Sequence, residues 1–259
     1  MFALSTTLSA QTTKRPFNGT DFDGWQFKAG DRQNRWVAGR VSLAAATPGT
    51  VPPLPQNAVS MTASVMTVRE GATPPAREGA PPRMVGAFAN AMINNVGADW
   101  RDASPGKGVD IYTTEKFGDC TVKIEFLILK GGNSGVYLMG EYEVQVADSF
   151  AKPNNRLGQG DVGAIYSAAA PSLNACGVPG TWQSFEIEFV APKFDAAGNK
   201  TSNALFKKVI LNGVTVQENV EAPGPTGGGL TMKEAATGPL LLQGDHGPVA
   251  FRNVEIIVP

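Results

Sequence analysis

What this chain has little of narrows the reading first. It holds one histidine and two cysteines in 259 residues. A zinc site of the usual His-rich or Cys-rich kind cannot be built from that set. Cys120 and Cys176 lack the close CxxC spacing of a redox motif, and two thiols make no disulfide framework. A bridge between them stays open, but Cys120 alternates with Val122, Ile124 and Phe126, as a small buried hydrophobe does. No apolar run reaches the roughly 18 residues of a membrane-crossing helix. Basic runs are also missing, and 22 basic against 23 acidic residues leave a formal charge of -1. Nucleic acid and anionic membranes are therefore not expected partners. There is no GxSxG nucleophile elbow. The glycines of GPTGGGL have no Gly-Lys-Ser/Thr sequel that could cradle a phosphate.

Apolar material, by contrast, is plentiful: 42% of residues are hydrophobic and 17% charged, enough for a sizeable core. The length fits one large domain. Leu4 to Ala10 is short and mildly apolar and ends at Leu8-Ser9-Ala10 before Gln11, like the tail of a secretory signal. Residues 1–15 are accordingly expected to be a signal-peptide remnant, residues 16–259 a single domain, and the protein periplasmic or secreted.

Four tracts follow along the chain. Residues 16–47 read as a turn-rich entry strand pair. Residues 48–108 form an insertion rich in Pro, Ala and Gly, too dense in proline for a central ladder. Met84, Phe88, Met92 and Val96 recur there every four residues, which predicts one short helix. From residue 109 the period changes to two, in segments such as DCTVKIEFLIL, SGVYLM, YEVQVAD and WQSFEIEFVA, separated by Gly, Pro, Asn or Asp. VILNGVTV carries the Asn-Gly signal of a tight hairpin. The expected fold is all-β, an antiparallel two-sheet sandwich.

In SGVYLM the core positions are Val136 and Leu138, and in YEVQV they are Tyr142, Val144 and Val146. A turn at Gly140-Glu141 makes these strands a hairpin and places Tyr137, Met139, Glu143 and Gln145 in one patch on the opposite face. That patch suits a sugar, whose hydroxyls bond amides and carboxylates and whose C–H faces lie on aromatic rings. The bland reading is that Glu143 and Gln145 simply face solvent. Asp148 follows at the strand end, and QGDHG gathers Gln243, Asp245 and the sole histidine, His246, at another. Histidine is the one side chain whose unperturbed pKa lies between pH 5 and 8. The loop GAIYSAAAPSLNACGVPGTWQ offers Tyr166 and Asn174. No cofactor is expected, although an all-oxygen calcium site from Glu143, Asp148 or Asp245 stays open.

FNGTDFDGW, DIYTTEKFGDCTVKIEF, GGNSGVYLMGEYEVQVADS, GPTGGG, GPLLLQGDHG and VAFRNVEI, in this order, resemble the 3-keto-disaccharide hydrolase family. The resemblance runs from about Phe17 to Val258 outside the insertion. It implies a concanavalin A-like, laminin-G-like jelly roll, commonly exported, acting on glycosides already oxidised at the sugar 3-position. This chain departs from the pattern with Met139 and Glu141 where members carry Arg, and with Gly244 between Gln243 and Asp245.

A ketone at C3 acidifies the C2 proton, so its loss expels the C1 substituent, and water then adds to the enone. That chemistry needs a base, an acid for the leaving oxygen and donors for the enolate. On the resemblance, His246 or Glu143 is the base, Asp148 or Glu143 the acid, and Asn133, Gln145 and Gln243 donors and sugar clamps; Tyr137, Tyr166 and Asp245 complete the substrate-binding set. The expected partner is an oligosaccharide or glycoside. Two alternatives stand beside it. One is direct hydrolysis of an unmodified glycan by a carboxylate pair, for which Glu141 and Glu143 lie about 6.6 Å apart along a strand. The other is a noncatalytic sugar-binding module using Trp25, Trp36 and Trp182.

Overall fold

The structure is a computed structural model that describes residues 10–28, 34–39, 41, 43–45, 61–63, 91–94 and 108–259. The strands in chain order are β1 (Thr12–Lys14), β2 (Trp25–Phe27), β3 (Trp36–Gly39), β4 (Leu43–Ala45), β5 (Met61–Ala63) and β6 (Ala91–Asn94). Next come β7 (Ile111–Phe117), β8 (Cys120–Ile128), β9 (Asn133–Leu138), β10 (Tyr142–Ala147) and β11 (Gln183–Val190). The rest are β12 (Lys193–Phe194), β13 (Lys200–Ser202), β14 (Ala204–Leu211), β15 (Val214–Ala222), β16 (Gly238–Leu242) and β17 (Val249–Val258). A single 3-10 turn, Asn154–Arg156, is the helical element among the described residues.

Two antiparallel sheets form the sandwich. One runs β15-β14-β11-β8-β17-β6-β3, with β1 also on β17; the other runs β10-β9-β16-β7-β2. Period-two sequences build both. In β8 and β11 every second residue is buried, which aims Val122, Ile124, Phe126, Phe185, Ile187 and Phe189 at the facing sheet. The second sheet answers with Ile111, Val136, Leu138, Tyr142, Val144, Val146, Leu240 and Leu242, all in one continuous cluster. Tyr142 meets Phe189 across the gap at 5.6 Å between ring centroids, and Phe126 stacks on Phe185 at 4.9 Å. Each such fully buried ring contributes about 1.5–3 kcal/mol from area alone. The Asn-Gly hairpin is present: Asn212 (φ 52°) and Gly213 (φ 82°) join β14 to β15 with Leu211 opposite Val214.

Three expectations change. Ala91–Asn94 is a strand pairing with β17 on one side and β3 on the other, so the helix predicted through Met92 does not form there. Met84, Phe88 and Val96 lie outside the described residues. Thr12–Lys14 pair with Ile256–Val258, so the sandwich already includes residues inside the expected leader remnant. Met139 is not an outward strand residue. It sits with Gly140 and Glu141 in the β9–β10 turn at φ 54°, followed by Gly140 at φ 72°, and its side chain joins the core. Cys120 and Cys176 are both free.

Candidate functional site

The site lies on the face of the five-stranded sheet that looks away from the core. Register fixes its rows. Glu143 is opposite Tyr137, Tyr137 opposite Leu241, Leu241 opposite Tyr112, and Tyr112 opposite Gln26. One step along, Gln145 is opposite Gly135, Gln243 N donates to Gly135 O at 3.0 Å, and Lys28 N donates to Asp110 O at 2.8 Å. The outward positions of five strands thus converge on one polar floor.

Glu143 and Gln145 are not solvent-facing, as the bland reading had them: they are 3% and 6% exposed. β10 is an edge strand, and its free side is covered twice. Gln145 N donates to Ala164 O, Gly163 N to Gln145 O and Tyr166 N to Glu143 O, at 2.9, 2.9 and 3.2 Å. From the other loop, Thr226 Oγ1 accepts from Glu143 N at 3.0 Å, and Gly227 O accepts from the Tyr137 hydroxyl at 3.1 Å. The glycine-rich stretch 224–229 is therefore a strap over Tyr137. Gly135 makes room beneath the acid, because a Cβ there would overlap the Glu143 carboxylate and the Tyr137 ring.

Electrostatics follow from this enclosure. Burial pushes the Glu143 carboxyl up from 4.5 to about 7. The Tyr137 hydroxyl and the charge of His246 pull it back, while Asp110 and Asp245 push it further up. Burial, with Glu143 beside it, holds the Tyr137 phenol well above its ordinary range, so it is a fixed donor. His246 Nδ1 bonds Asp245 Oδ1, and this carboxylate raises the imidazole above its ordinary 6.5 against the pull of burial. Gln243 Nε2 donates to the Tyr137 hydroxyl at 3.3 Å. At neutral pH the cluster thus holds an acid near half-ionisation and an imidazole biased toward its charged form.

The corner carrying His246 is clamped from both sides. Asn94 Nδ2, on β6 within the insertion, donates to Gly244 O at 2.5 Å and Gly247 O at 3.2 Å. Asp110 Oδ1 accepts from Gly244 N at 2.9 Å, and Asp110 Oδ2 accepts from Lys28 Nζ at 3.2 Å. The inserted Gly244 is thereby the anchor of its corner. Asp110, Lys28 and Asn94 were not in the sequence-derived set. Only Asp110 left a local signal, since it stands just before β7 in phase with Tyr112, which faces outward.

The structure brings Tyr137, Glu143, Gln243, Asp245 and His246 together, and Asn133 borders them by accepting from Gln145 Nε2 at 2.8 Å. Tyr166 stands exposed above them against Gly227. Asp148 has another job: Oδ2 accepts from Gly131 N at 2.8 Å and Oδ1 from Phe150 N at 3.1 Å, which caps the loop after β10. Asn174 likewise spends its amide on Ser149 O and Lys152 O. Glu141 is also engaged, accepting from Thr231 N, Thr231 Oγ1 and Met232 N at 2.8, 2.6 and 3.0 Å. It is not free to partner Glu143 as a hydrolytic pair. Trp25 and Trp36 are buried, with Nε1 on Pro16 O and Val109 O, and Trp182 stacks under Arg252 at 4.0 Å. None of the three is an open sugar platform. Among the described residues no cluster of His, Cys, Asp and Glu is arranged to hold a metal ion.

No protein of curated function matches the chain. Two solved structures from Parabacteroides distasonis ATCC 8503, each described as a candidate glycosyl hydrolase, share its fold. One is 25% identical with a TM-score of 0.52, covering 98% of this chain and 93% of its own. The other is 17% identical with a TM-score of 0.50, covering 94% and 92%. The 3-keto-alpha-glucoside-1,2-lyase-like domain matches residues 12–257, nearly the whole chain, and the protein belongs to that family.

Proposed function

We propose that the protein cleaves 3-keto glycosides by elimination followed by hydration. The observation that carries this reading is Glu143: a carboxyl 3% exposed, poised near neutrality and flanked by an Asp-oriented histidine and a tyrosine donor. A general base works best when its pKa lies near the working pH. Glu143 takes the C2 proton. Gln243 donates to the C3 oxygen as the enolate forms, the Tyr137 hydroxyl turns from Gly227 O to join it, and protonated His246, held by Asp245, gives its proton to the leaving C1 oxygen. The enone then accepts water at C1, with neutral His246 taking the water proton and Glu143, whose proton has exchanged with solvent while the enone stands, protonating C2. One water is consumed, and base and acid are both restored. Asp148 has no part in this scheme, because its oxygens cap a loop.

Support for the elimination reading over the two rivals is specific. Glu141 is committed to Thr231 and Met232, Asp110 to Gly244 and Lys28, and Asp245 to His246, so each of these carboxylates around Glu143 is engaged rather than free to pair with it in direct hydrolysis, and the tryptophans a binding module would present are packed away. Export remains part of the reading, supported by Leu8-Ser9-Ala10 standing just before the first strand residue, Thr12. N-terminal sequencing of protein from host fractions tests that part.

The reaction is tested with a 3-keto disaccharide and its unoxidised parent, incubated in heavy water and followed by NMR. Cleavage of the keto sugar alone, with deuterium at C2, is the expected result. Cleavage of the parent at a comparable rate would place the chemistry elsewhere.

A further inference from the structure

Beside the catalytic cluster, on the same outward face, lies a cleft of about 370 Å³ that the reaction above does not use. Tyr112 and Thr114 of β7 and Gln26 of β2 border it, Leu230 closes one side, and Lys116 and Lys233 stand at its rim. The volume lies within the range of small-molecule sites. Its composition is mixed in the way a sugar ring requires: a half-buried phenol ring and apolar Leu230 for C–H faces, and a threonine hydroxyl and glutamine amide for hydroxyls.

Two lysines against one carboxylate give the cleft lining a net positive charge. Its carboxylate, Glu141, is satisfied by three donors from Thr231 and Met232. The acids next to the two lysines in sequence are taken as well: Glu115 pairs with Lys14 at 2.9 Å, and Glu234 pairs with Lys200 at 2.8 Å. Lys116 and Lys233 are exposed, and neither forms an ion pair among the described residues. Two unpaired ammonium groups against one hydrogen-bonded carboxylate leave the cleft net positive, which raises the local concentration of anions.

Position ties the cleft to the reacting centre. Asp110, whose charge acts on Glu143, stands just before β7, and Thr114, which borders the cleft, lies within it. Four residues of strand rise about 13 Å, enough for two pyranose rings in series. The strap tip marks the boundary, where Gly228 O accepts from Lys28 Nζ at 3.3 Å and Gly227 O from Tyr137. From this arrangement we infer that the cleft is the subsite for the leaving half of the glycoside and takes an acidic sugar, with Lys116 and Lys233 receiving its carboxylate. The assignment rests on the cleavage reading for its leaving-group role, and on the cleft alone for its acid preference.

Two experiments separate these parts. In the first, the full chain is titrated with glucuronate and with its methyl ester while protein NMR signals are followed. Glucuronate is expected to bind about tenfold tighter at low salt, the scale of two exposed charge contacts, and the Lys116→Ala/Lys233→Ala variant to lose that preference. Equal binding of acid and ester, or a preference that survives in the variant, overturns the acid site. In the second, kcat/KM is compared for 3-keto-glucosyl-glucuronate and 3-keto-glucosyl-glucose. The same preference is expected, reduced to near unity in the variant. If neither sugar is cleaved while the titration behaves as expected, the reaction and the leaving-group role fall together. If both are cleaved without preference, the subsite assignment falls alone.

Discussion

Replacing Glu143 by Gln should make the protein more stable at alkaline pH while removing its activity. The carboxyl is 3% exposed and titrates at about 7 in the folded chain, against 4.5 when free. Below pH 4.5 it is protonated in both states and carries no penalty. Between 4.5 and 7 the unfolded chain ionises while the folded chain holds its proton, so stability falls as pH rises. Above 7 both states are ionised and the full penalty stands, about 3 kcal/mol at roughly 1.36 kcal/mol per pKa unit. Most of this change falls between pH 5 and pH 8, so the Gln variant, which has no charge to desolvate, should gain about 2–3 kcal/mol on wild type over that interval. Urea unfolding of both proteins at the two pH values measures it. On a 3-keto glucoside the same variant should lose about 10²- to 10⁴-fold in turnover, the usual weight of a general base. Wild type and variant showing the same pH dependence of stability would refute the claim that Glu143 is a buried acid poised near neutrality.

Other outcomes follow from the same geometry. Asn94→Ala removes both donors that hold Gly244 O and Gly247 O, at a cost of about 2–4 kcal/mol. The resonance of the chain's single histidine should then titrate closer to 6.5 as the Asp245 contact loosens, and an unchanged midpoint in a folded variant speaks against the clamp. Gly135→Ala drives a methyl into the Glu143 carboxylate. It should cost about 1–3 kcal/mol of stability and depress kcat more than it raises KM; kinetics matching wild type would mean the acid does not need that space.

The strands were legible because alternation survives wherever one face is buried. Val136, Leu138, Tyr142, Val144 and Val146 fall where period two puts them, and Glu143 meets Tyr137 as a hairpin requires. The pattern misled at Met139, since an apolar residue in phase with the strand looks like strand. The turn starts one residue earlier than Gly140-Glu141, with two left-handed residues in sequence. Spacing of four in the insertion misled for a different reason. Met92 lies between two partner strands, and pairing on both sides overrides a weak local period. Asp148 read as catalytic because an acid that caps a loop and an acid that does chemistry look alike in sequence. Lys28 and Asn94 left no signal: their partners stand 82 and 150 residues away, and only the sheet order brings them together.

The enclosure of β10 has two consequences from one set of contacts. An edge strand left open invites pairing with another chain, and its outward side chains stay solvated. Here residues 163–166 and the strap at 226–228 bond to β10 and to Tyr137, which blocks that edge. The same loops take Glu143 out of water, and it is this burial, before any neighbouring charge, that lifts its pKa to about 7. Protection of the edge and tuning of the acid are therefore coupled. A change that frays either loop should lower the Glu143 pKa and expose the β10 edge together, so loss of activity and gain of self-association are expected to appear in the same variants.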